Sequence, residues 1–459
     1  MASDEVEPDI ATDSPANGSG DGGRSNGGRA RTRSRGRTAT RDLGELPDIK
    51  SSQGRDDWST WPVYESATLG LPGSWWYPVT WSRDVGRKPV GIQLLGRNIV
   101  FLRERGKVHA MHDRCPHRGV PLSLGSQQFP GTLSCPYHGW TFDLNDGVLK
   151  AVITDGPDSP LCGKVRVETF PVEERLGLVW IFLGDAPGTP PPVEAAIPRE
   201  LLENDFSLGG RIHVRHGGWR FAAENGFDEG HAKYLHRTSL WRMFKVMPTW
   251  SKTRVIPTDD GWITRVQDEA YMDAEFPGLG TWTNKRWWKA GGNMLHTKPS
   301  KAANKVDPVI SSMDVPGNQH IRLPGLLRIV HTKFIHYEWY VPVDEDRYRY
   351  IQMFVEFKTG LSGAMFKLRY LGAIRWLFHG QFTGQDDWMV NVMDAPPERL
   401  YRPDISITKW RALCESAPPN GLAVPPANGD SAGGADGGSG DVPGPGRKAP
   451  ARARNRREH

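Results

Sequence analysis

The chain has 459 residues and a mass of 51.2 kDa, which at about 150 residues per domain predicts two or three domains. Only 37% of the residues are hydrophobic, and the deficit falls on the two ends, because all 18 Trp lie between them. Four Cys exclude a disulfide framework, and no apolar run approaches the roughly 18 residues of a membrane span. These features predict a soluble cytoplasmic protein with no membrane association.

The net charge of +5 is small, but the Arg residues are concentrated near the termini. Residues 24–41 contain seven Arg and no acidic residue, and residues 447–457 are also basic. Such segments can contact nucleic acid, yet no aromatic side chains for base stacking are interleaved with the Arg. A solvated extension is therefore favoured, and nucleic acid is not expected as a partner.

Changes in composition divide the chain into four segments. Aromatic residues begin near Trp58, a Pro-rich run at 185–200 separates two folded regions, and periodic patterns end near Ser416. The predicted segments are a disordered Arg/Gly-rich tail at 1–57, a β domain at 58–185, a second domain at 186–416 and a disordered tail at 417–459.

The two folded regions differ in their secondary-structure patterns. Residues 99–113 and 165–185 each predict a β-hairpin, which indicates a small all-β domain. In the second region, residues 334–357 predict a long antiparallel strand pair, whereas residues 219–236 and 361–381 have helical spacing. The predicted fold class is therefore α+β, with an all-β domain followed by an antiparallel sheet with helices.

Two short loops in the β domain each offer one Cys and one His. Cys115 and His117 lie in the first loop, and Cys135 and His138 lie in the second. Two Cys and two His also suit structural zinc, but zinc fingers usually group Cys with Cys and His with His. One of each per loop favours a 2Fe-2S cluster in which one iron takes both Cys and the other takes both His.

This choice of ligands also affects the expected redox potential. Two ferric ions, two sulfides and two thiolates sum to zero charge, so the cluster accepts an electron readily and a potential of about −150 to +300 mV is expected. Gly119 and Gly139 are expected to permit tight turns that aim backbone N–H groups at sulfur. Cys162 and Cys414 lie outside both loops and are interpreted as ordinary thiols.

A second group of polar residues lies in the helical pattern at 219–236. Glu224, Asp228 and His231 are spaced i, i+4 and i+7, which would place them on one face of a helix. Burying such groups among apolar neighbours is costly unless a metal or hydrogen bonds satisfy them. His231 and His236 together with one carboxylate would make the facial triad of mononuclear Fe(II) oxygenases.

The third iron ligand must come from elsewhere in the chain, because Asp228 is too close to His231 to share its metal and also orient it. Asp386 and Asp387 follow the last helical pattern and are the candidates, of which Asp386 is preferred. Four aromatic residues could either line a substrate pocket or belong to the core: Trp287, Trp288, Phe334 and Trp339.

These motifs resemble the large α-subunit of Rieske non-haem iron ring-hydroxylating oxygenases over roughly residues 75–414. The pattern CPHRG…CPYHGWTF matches the two-box Rieske motif at every ligand. The family motif N-x-x-D-x-x-H-x(4)-H is met by Asn225, Asp228, His231 and His236. WWYPVTWS and HYEWYVPVDE are similar to the carbazole 1,9a-dioxygenase-type terminal oxygenases. That subgroup separates its two His by three residues, whereas this chain has the four of the wider family.

The resemblance implies a terminal oxygenase component that activates O2 and hydroxylates an aromatic or other small hydrophobic substrate by dioxygenation. It implies a homotrimer with one 2Fe-2S cluster and one mononuclear Fe(II) per subunit. Asn225 and Asp228 would be catalytic, and Asp228 would accept hydrogen bonds from His231 and from His138 of a neighbouring subunit. Electrons would come from a ferredoxin and an NAD(P)H-dependent reductase, since this chain has no Gly-rich dinucleotide motif after a strand.

Three alternatives use the same sequence features differently. A Rieske monooxygenase or an O/N-demethylase would use the same irons. The other two alternatives belong to different functional classes. One is an electron-transfer protein whose second metal site is degenerate, and the other is a nucleic-acid-binding protein recruited through the Arg-rich ends.

Overall fold

A computed structural model describes residues 70–417, apart from 72, 185–188, 240–249, 259, 272, 284–306, 314–318, 332 and 394–398. The predicted tails lie outside the described residues except for residue 417, and so do Trp287 and Trp288. The described strands form five sheets, in which every pairing is antiparallel. The boundaries proposed for the four segments stay predictions.

The first region folds into three small sheets with the orders β1-β10-β9, β2-β3-β4-β8 and β5-β6-β7. Its strands are β1 (Ser74–Trp81), β2 (Val90–Leu94), β3 (Arg97–Glu104), β4 (Lys107–His112), β5 (Thr132–Ser134), β6 (Trp140–Asp143), β7 (Leu149–Val152), β8 (Thr169–Phe170), β9 (Val172–Arg175) and β10 (Leu178–Gly184). The predicted first hairpin is β3–β4. The second is β9–β10, while β8 just before it pairs with β4 instead.

The second region is built on a seven-stranded sheet with the order β11-β19-β18-β17-β16-β13-β12. The strands, including the separate hairpin β14–β15, are β11 (Ser207–His216), β12 (Trp250–Pro257), β13 (Ile263–Tyr271), β14 (Asp273–Phe276), β15 (Gly280–Thr283), β16 (Gln319–Arg322), β17 (Leu326–Val330), β18 (Ile335–Pro342) and β19 (Arg347–Glu356). β18 and β19 are the predicted long strand pair. Both faces of β18 are buried, so neighbours cover the sheet on each side.

The described α-helices are short. They are α1 (Arg199–Glu203), α2 (Trp219–Phe227), α3 (Gly230–Tyr234), α4 (Pro308–Ser312), α5 (Gly360–Arg369), α6 (Thr383–Val392) and α7 (Ile405–Glu415). A 3-10 turn, Leu235–Thr238, follows α3, and two π-helical segments, Tyr370–Ile374 and Trp376–Phe382, connect α5 with α6. Among the described residues, no helix combines the length and the apolar character needed to cross a bilayer.

Three apolar clusters hold the described residues together. The largest joins β1 and β10 to the seven-stranded sheet, and within it Trp180 contacts Trp339 edge to face with ring centroids 6.0 Å apart. The second surrounds the two Cys–His loops and includes Cys115, Cys135 and Trp140. The third is a group of aromatic side chains with Phe354 and Phe378 at its centre. Trp339, a candidate for the pocket wall, therefore belongs to the main core, and the Cys–His loops rest on a core of their own.

Candidate metal centres

Matching backbone hydrogen bonds close the two Cys–His loops. The N–H groups of Cys115 and Cys135 each donate to the carbonyl five residues later, at 2.8 Å in both loops. Gly119 and Gly139 donate back to the carbonyls of the same two Cys, at 2.8 and 3.2 Å. The loops therefore share one geometry, although the His follows its Cys by two residues in the first loop and by three in the second.

The two glycines are required by this geometry. Gly119 has φ +76° and Gly139 has φ +66°, a region that L residues with side chains rarely adopt. A Cβ atom on Gly139 would also lie 2.6 Å from Cβ of Ile153. The tight turns predicted at these positions are present.

The four predicted cluster ligands come together at one end of the β region. The imidazole rings of His117 and His138 lie 4.7 Å apart, and Trp140 stacks on His117 at 5.1 Å with an interplanar angle of 3°. Both Cys are buried, whereas His117 is exposed and His138 is half-buried. The thiols thus form the inner side of the site, and the imidazoles lie toward solvent.

The electrostatics of the loops fit a cluster. Burial raises the pKa of Cys115 to about 11, where the backbone N–H of His117 acts against the rise and the adjacent Cys135 thiol adds to it. Among the described residues, Nδ1 of His138 is buried and has no hydrogen-bond partner. Facing thiols and an unpaired ring nitrogen are donors that an iron–sulfur cluster would satisfy, so these residues fit a 2Fe-2S centre.

His231, His236 and Asp386 meet at a second point. One donor atom from each side chain lies within 4.8 Å of the other two. Nε2 of His231 and Nε2 of His236 lie 3.4 and 3.1 Å from the same oxygen, Oδ1 of Asp386. His231 is on α3, His236 is in the following 3-10 turn, and Asp386 is in the first turn of α6. Two imidazoles and one carboxylate that converge in this way could hold a mononuclear iron.

Asp387 lies apart from this group. Its Oδ1 is 3.5 Å from Nη1 of Arg215, whose side chain is only 8% exposed. The geometry thus favours Asp386 over Asp387 as the third ligand.

Asp228 orients His231. Its Oδ1 accepts a hydrogen bond from the N–H of Gly230 at 2.8 Å, and its Oδ2 accepts from the N–H of His231 at 2.8 Å. The same Oδ2 lies 3.1 Å from the ring Nδ1 of His231. The carboxylate therefore holds the ring so that Nε2 faces Asp386, as carboxylates that accept the other ring N–H do for metal-binding His. The predicted contact between Asp228 and His231 is present.

The predicted shared helical face of Glu224, Asp228 and His231 is wrong. Asp228 follows the end of α2 with an extended backbone, φ −67° and ψ 136°, so that α3 starts in a new direction. Glu224 is turned to Arg411, whose Nε and Nη2 each donate to a carboxylate oxygen at 2.7 Å. Glu224 is therefore a paired structural acid and lies outside the group of metal donors.

Other side chains orient the remaining donors. Asn225 Nδ2 donates to Asp386 Oδ1 at 3.3 Å. Gln385 Oε1 lies 2.9 Å from Nδ1 of His236, and the ring of Phe382 stacks on that of His236 at 3.6 Å. Gln385 and Phe382 are not among the residues predicted from the sequence. Phe382 lies four residues before Asp386 on a helical pattern, a spacing that could have identified it, whereas the position of Gln385 directly before Asp386 gives no such signal.

The charges at this site favour a cation. Burial lowers the pKa of His231, but hydrogen bonds and charges from Asp228 and Asp386 outweigh burial and raise this pKa to about 9. Burial raises the pKa of Asp228, but its hydrogen bonds with His231 outweigh burial and lower this pKa to about 2. His231 and His236 lower the pKa of Asp386 in the same way, against the effect of burial. Two ionised carboxylates beside two imidazoles suit a metal ion.

Aromatic side chains extend from His236 to strand β19 of the seven-stranded sheet. Phe378 lies 5.7 Å from Phe382, which stacks on His236. Phe334, one of the candidate pocket residues, lies 6.3 Å from Phe378, and Phe354 lies 4.8 Å from it. A continuous group of aromatic rings therefore links Phe334 with the site.

Comparisons with known families agree with both centres. Residues 75–171 match the Rieske 2Fe-2S domain, and residues 182–418 match the family described as homotrimeric ring hydroxylase. The terminal oxygenase component of carbazole 1,9a-dioxygenase from Sphingomonas sp. is 32% identical over 374 residues, which cover 77% of this chain and 93% of the relative. The same component from Metapseudomonas resinovorans is 32% identical over 302 residues, which cover 64% of this chain and 74% of the relative.

Solved structures show the same likeness. The terminal oxygenase of carbazole 1,9a-dioxygenase from Nocardioides aromaticivorans IC177 has a TM-score of 0.64 and 27% identity, covering 78% of this chain and 98% of that one. The oxygenase in the reduced oxygenase–ferredoxin complex of carbazole 1,9a-dioxygenase has a TM-score of 0.63 and 26% identity, covering 76% of this chain and 90% of that one.

The fold, the two donor groups and these matches define an enzyme with two kinds of iron centre. The chain belongs to the Rieske non-haem iron ring-hydroxylating oxygenases. It is an oxidoreductase that incorporates O2 and uses a Rieske 2Fe-2S cluster and a mononuclear iron as cofactors. The resemblance stated from the motifs is confirmed, and membership of this family decides against structural zinc in the Cys–His loops.

Proposed function

We propose that the protein is a cytoplasmic terminal oxygenase component that dioxygenates an aromatic substrate. The observation that carries this proposal is the convergence of His231, His236 and Asp386 beside the ring of Phe382. Carbazole dioxygenases match over most of both chains, so a fused aromatic compound is the substrate class that we favour.

Each centre has its own ligands in this proposal. His231, His236 and Asp386 hold the mononuclear Fe(II), and the 2Fe-2S cluster is held by Cys115, His117, Cys135 and His138. When bound, the iron supplies open coordination positions for O2 and the cluster supplies electrons. Dioxygenation adds both atoms of O2 to the substrate and takes up two electrons and two protons, which NAD(P)H and one further proton provide.

Two polar side chains position the iron ligands. Asp228 accepts the ring N–H of His231 and keeps the other ring nitrogen available for metal. Asn225 donates its amide N–H to Asp386 and thereby restrains the carboxylate. The protein assembles as a homotrimer, in which Asp228 also accepts a hydrogen bond from His138 of the partner subunit. This contact links the cluster of one subunit to the iron of the next.

Electrons reach the cluster from a ferredoxin, which an NAD(P)H-dependent reductase reduces. The exposed ring of His117, together with Tyr137 packed at 3.8 Å on His138, brings the edge of the cluster site to the protein surface. Carbazole 1,9a-dioxygenase oxygenases have been solved in complex with a ferredoxin, which supports the same type of partner here. We place the reaction in the cytoplasm, where NAD(P)H is available.

Dioxygenation is favoured over monooxygenation or demethylation. The 4beta-methylsterol monooxygenase of Methylococcus capsulatus is 31% identical, but over only 194 residues, which cover 40% of this chain. The dioxygenase component from Sphingomonas sp. matches across 77% of it. The nucleic-acid alternative depends on the Arg-rich ends, which lie outside the described residues.

Product analysis with 18O2 tests this proposal. Full-length protein, loaded with both metal centres, would be supplied with NADH, a surrogate ferredoxin and its reductase, and with carbazole, fluorene or biphenyl. We expect a product that carries two 18O atoms from one O2, and no product when the ferredoxin is omitted. A product with a single 18O atom would make the enzyme a monooxygenase. Absence of product from all fused and linked aromatic compounds would overturn the substrate class.

A further inference from the structure

His236 is held from two sides in a fully buried position. Its side chain is 0% exposed, and Phe382 stacks on the ring with an interplanar angle of 19°. Nδ1 lies 2.9 Å from Oε1 of Gln385. Nε2, at the opposite side of the ring, lies 3.1 Å from Asp386 and makes no hydrogen bond of good geometry with any described residue. The ring thus has one nitrogen on Gln385 and the other at the proposed iron position.

The contact with Gln385 determines which nitrogen of His236 carries the proton. A neutral imidazole has one N–H and one lone pair, on different nitrogens. The carbonyl oxygen of Gln385 can only accept a hydrogen bond, so Nδ1 must be the donor and Nε2 keeps its lone pair. If the amide NH2 group faced Nδ1 instead, the proton would have to sit on Nε2, where it would block a metal.

The two proposed His ligands are held by different groups. Nδ1 of His231 is 3.1 Å from the carboxylate of Asp228, whereas Nδ1 of His236 faces the neutral amide of Gln385. Both partners accept a hydrogen bond and so select the same tautomer. The amide does this without adding a further negative charge to a site that already contains Asp228 and Asp386, which limits the cost of burial.

Gln385 also connects α6 with the 3-10 turn that carries His236, two segments whose relative position determines the site. It precedes Asp386 in α6 and lies 149 residues after His236. One helix turn therefore supplies the third proposed ligand and the support for the second. A shift of α6 would move the carboxylate and release the imidazole together.

We propose that Gln385 is a positioning residue that fixes the tautomer and the orientation of His236 and so sets the affinity of the site for Fe(II). This inference rests on the proposed function, because it requires His236 to be an iron ligand. Gln385 contacts the ring of His236, and the group of three donor side chains consists of His231, His236 and Asp386.

The test compares four variants of the full-length protein with its Rieske cluster loaded. Gln385→Met has a similar length but lacks the carbonyl, and Gln385→Asn withdraws the amide by one methylene. Gln385→Glu keeps an acceptor in place. Asn391→Leu changes an exposed amide on the same helix and is the matched control. The affinity for Fe(II) would be measured by chelator competition, and the EPR signal of the nitric oxide adduct would report the occupied site.

We expect Gln385→Met and Gln385→Asn to weaken Fe(II) binding by about 10–100-fold, the usual effect of removing a group that hydrogen-bonds to a metal-binding His. Gln385→Glu and Asn391→Leu should bind Fe(II) within about threefold of the wild type, a change well below that effect. The EPR spectrum of the Rieske cluster should be the same in all variants. Gln385→Asn carries the test if Gln385→Met fails to fold.

Two results would overturn the inference: wild-type affinity for Fe(II) in both Gln385→Met and Gln385→Asn, or a loss of affinity in Gln385→Glu equal to theirs. Failure of the proposed function has a different signature. In that case the wild type itself would bind no Fe(II) beyond its Rieske cluster, whatever residue stands at 385.

Discussion

Oδ1 of Asp386 is the atom around which the proposed iron site is arranged. It lies within 3.4 Å of a nitrogen from each of three side chains, which are His231, His236 and Asn225. Asp228 and Gln385 hold the far sides of the two imidazoles. Each donor is therefore restrained by at least one neighbour, as pre-organised metal sites require.

The cluster loops permit a test at the level of a single ligand. Replacing His138 with Cys exchanges a neutral ligand for a thiolate, so His138→Cys should retain a 2Fe-2S centre at a lower potential. We expect a decrease from the Rieske range of about −150 to +300 mV toward the roughly −400 mV of four-Cys clusters. Potentiometric titration followed by EPR measures this change. Cys162→Ser, outside both loops, should leave the potential unaltered, and an unchanged or higher potential in His138→Cys would contradict the ligand assignment.

The Cys–His loops could be predicted from the sequence because the information is local. Each loop needs a Cys, a His two or three residues later and a glycine four residues after the Cys, and Gly119 and Gly139 have the positive φ that this spacing requires. Asp386 was harder to identify, since two adjacent Asp have the same chemistry. Contacts with residues distant in sequence separate them: Asp386 faces His231 and His236, whereas Asp387 faces Arg215.

Helix α2 carries Asn225, the residue after it is Asp228, and α7 packs against α2 and holds it by hydrogen bonds. Arg411 on α7 forms two hydrogen bonds of 2.7 Å with Glu224. Trp410 donates from Nε1 to the carbonyl of Arg220 at 3.3 Å. The position of the iron site therefore depends on a helix that supplies none of its proposed ligands.

Removal of Arg411 should destabilise the protein strongly. The side chains of Arg411 and Glu224 are 13% and 7% exposed, so Arg411→Met would remove a cation that pairs with a buried carboxylate. We expect a loss of about 3–5 kcal/mol, seen as a lower midpoint of thermal unfolding. The control is Arg254→Met, which breaks the ion pair of Arg254 with Asp268. Because these side chains are 58% and 41% exposed, the control should lose about 1 kcal/mol of stability or less. Similar midpoints for the two variants would show that the buried pair does not stabilise α2.

The elements around the iron site could be predicted only in part. The spacing of residues 219–236 is interpreted most simply as one regular helix. The extended backbone of Asp228 ends α2 instead, and the Asp228 carboxylate accepts hydrogen bonds from the N–H groups at the start of α3. The partner of Glu224 is 187 residues away in sequence, beyond any local pattern. The π-helical segments before α6 also change the angular position of Asp386 relative to a 3.6-residue period.

In the assembled trimer, Asp228 is the proposed link between the 2Fe-2S cluster of one subunit and the mononuclear iron of the next. Asp228→Asn should retain both metal centres, since the amide is nearly isosteric and is not a ligand. Asn accepts hydrogen bonds on one atom only, and its NH2 group would face a donor. Electron transfer from the cluster to the iron should therefore slow by orders of magnitude.

A rapid-mixing experiment measures this effect of Asp228→Asn. The cluster would be reduced first, O2 and substrate added next, and cluster reoxidation followed by absorbance, with the iron content determined on the same sample. Asp84→Asn, an exposed acid in the β region, is the control and should reoxidise at the wild-type rate. Wild-type reoxidation in Asp228→Asn with full iron content would rule out the bridging role.

The most direct measurement is the iron and acid-labile sulfide content per chain after anaerobic loading with Fe(II). One 2Fe-2S cluster and one mononuclear iron predict three irons and two sulfides for the wild type and for Asp387→Ala. Asp386→Ala should contain two irons and two sulfides, with an unchanged Rieske spectrum. A wild type with only two irons, or an Asp386→Ala variant that keeps the third, would contradict the proposed iron site at His231, His236 and Asp386.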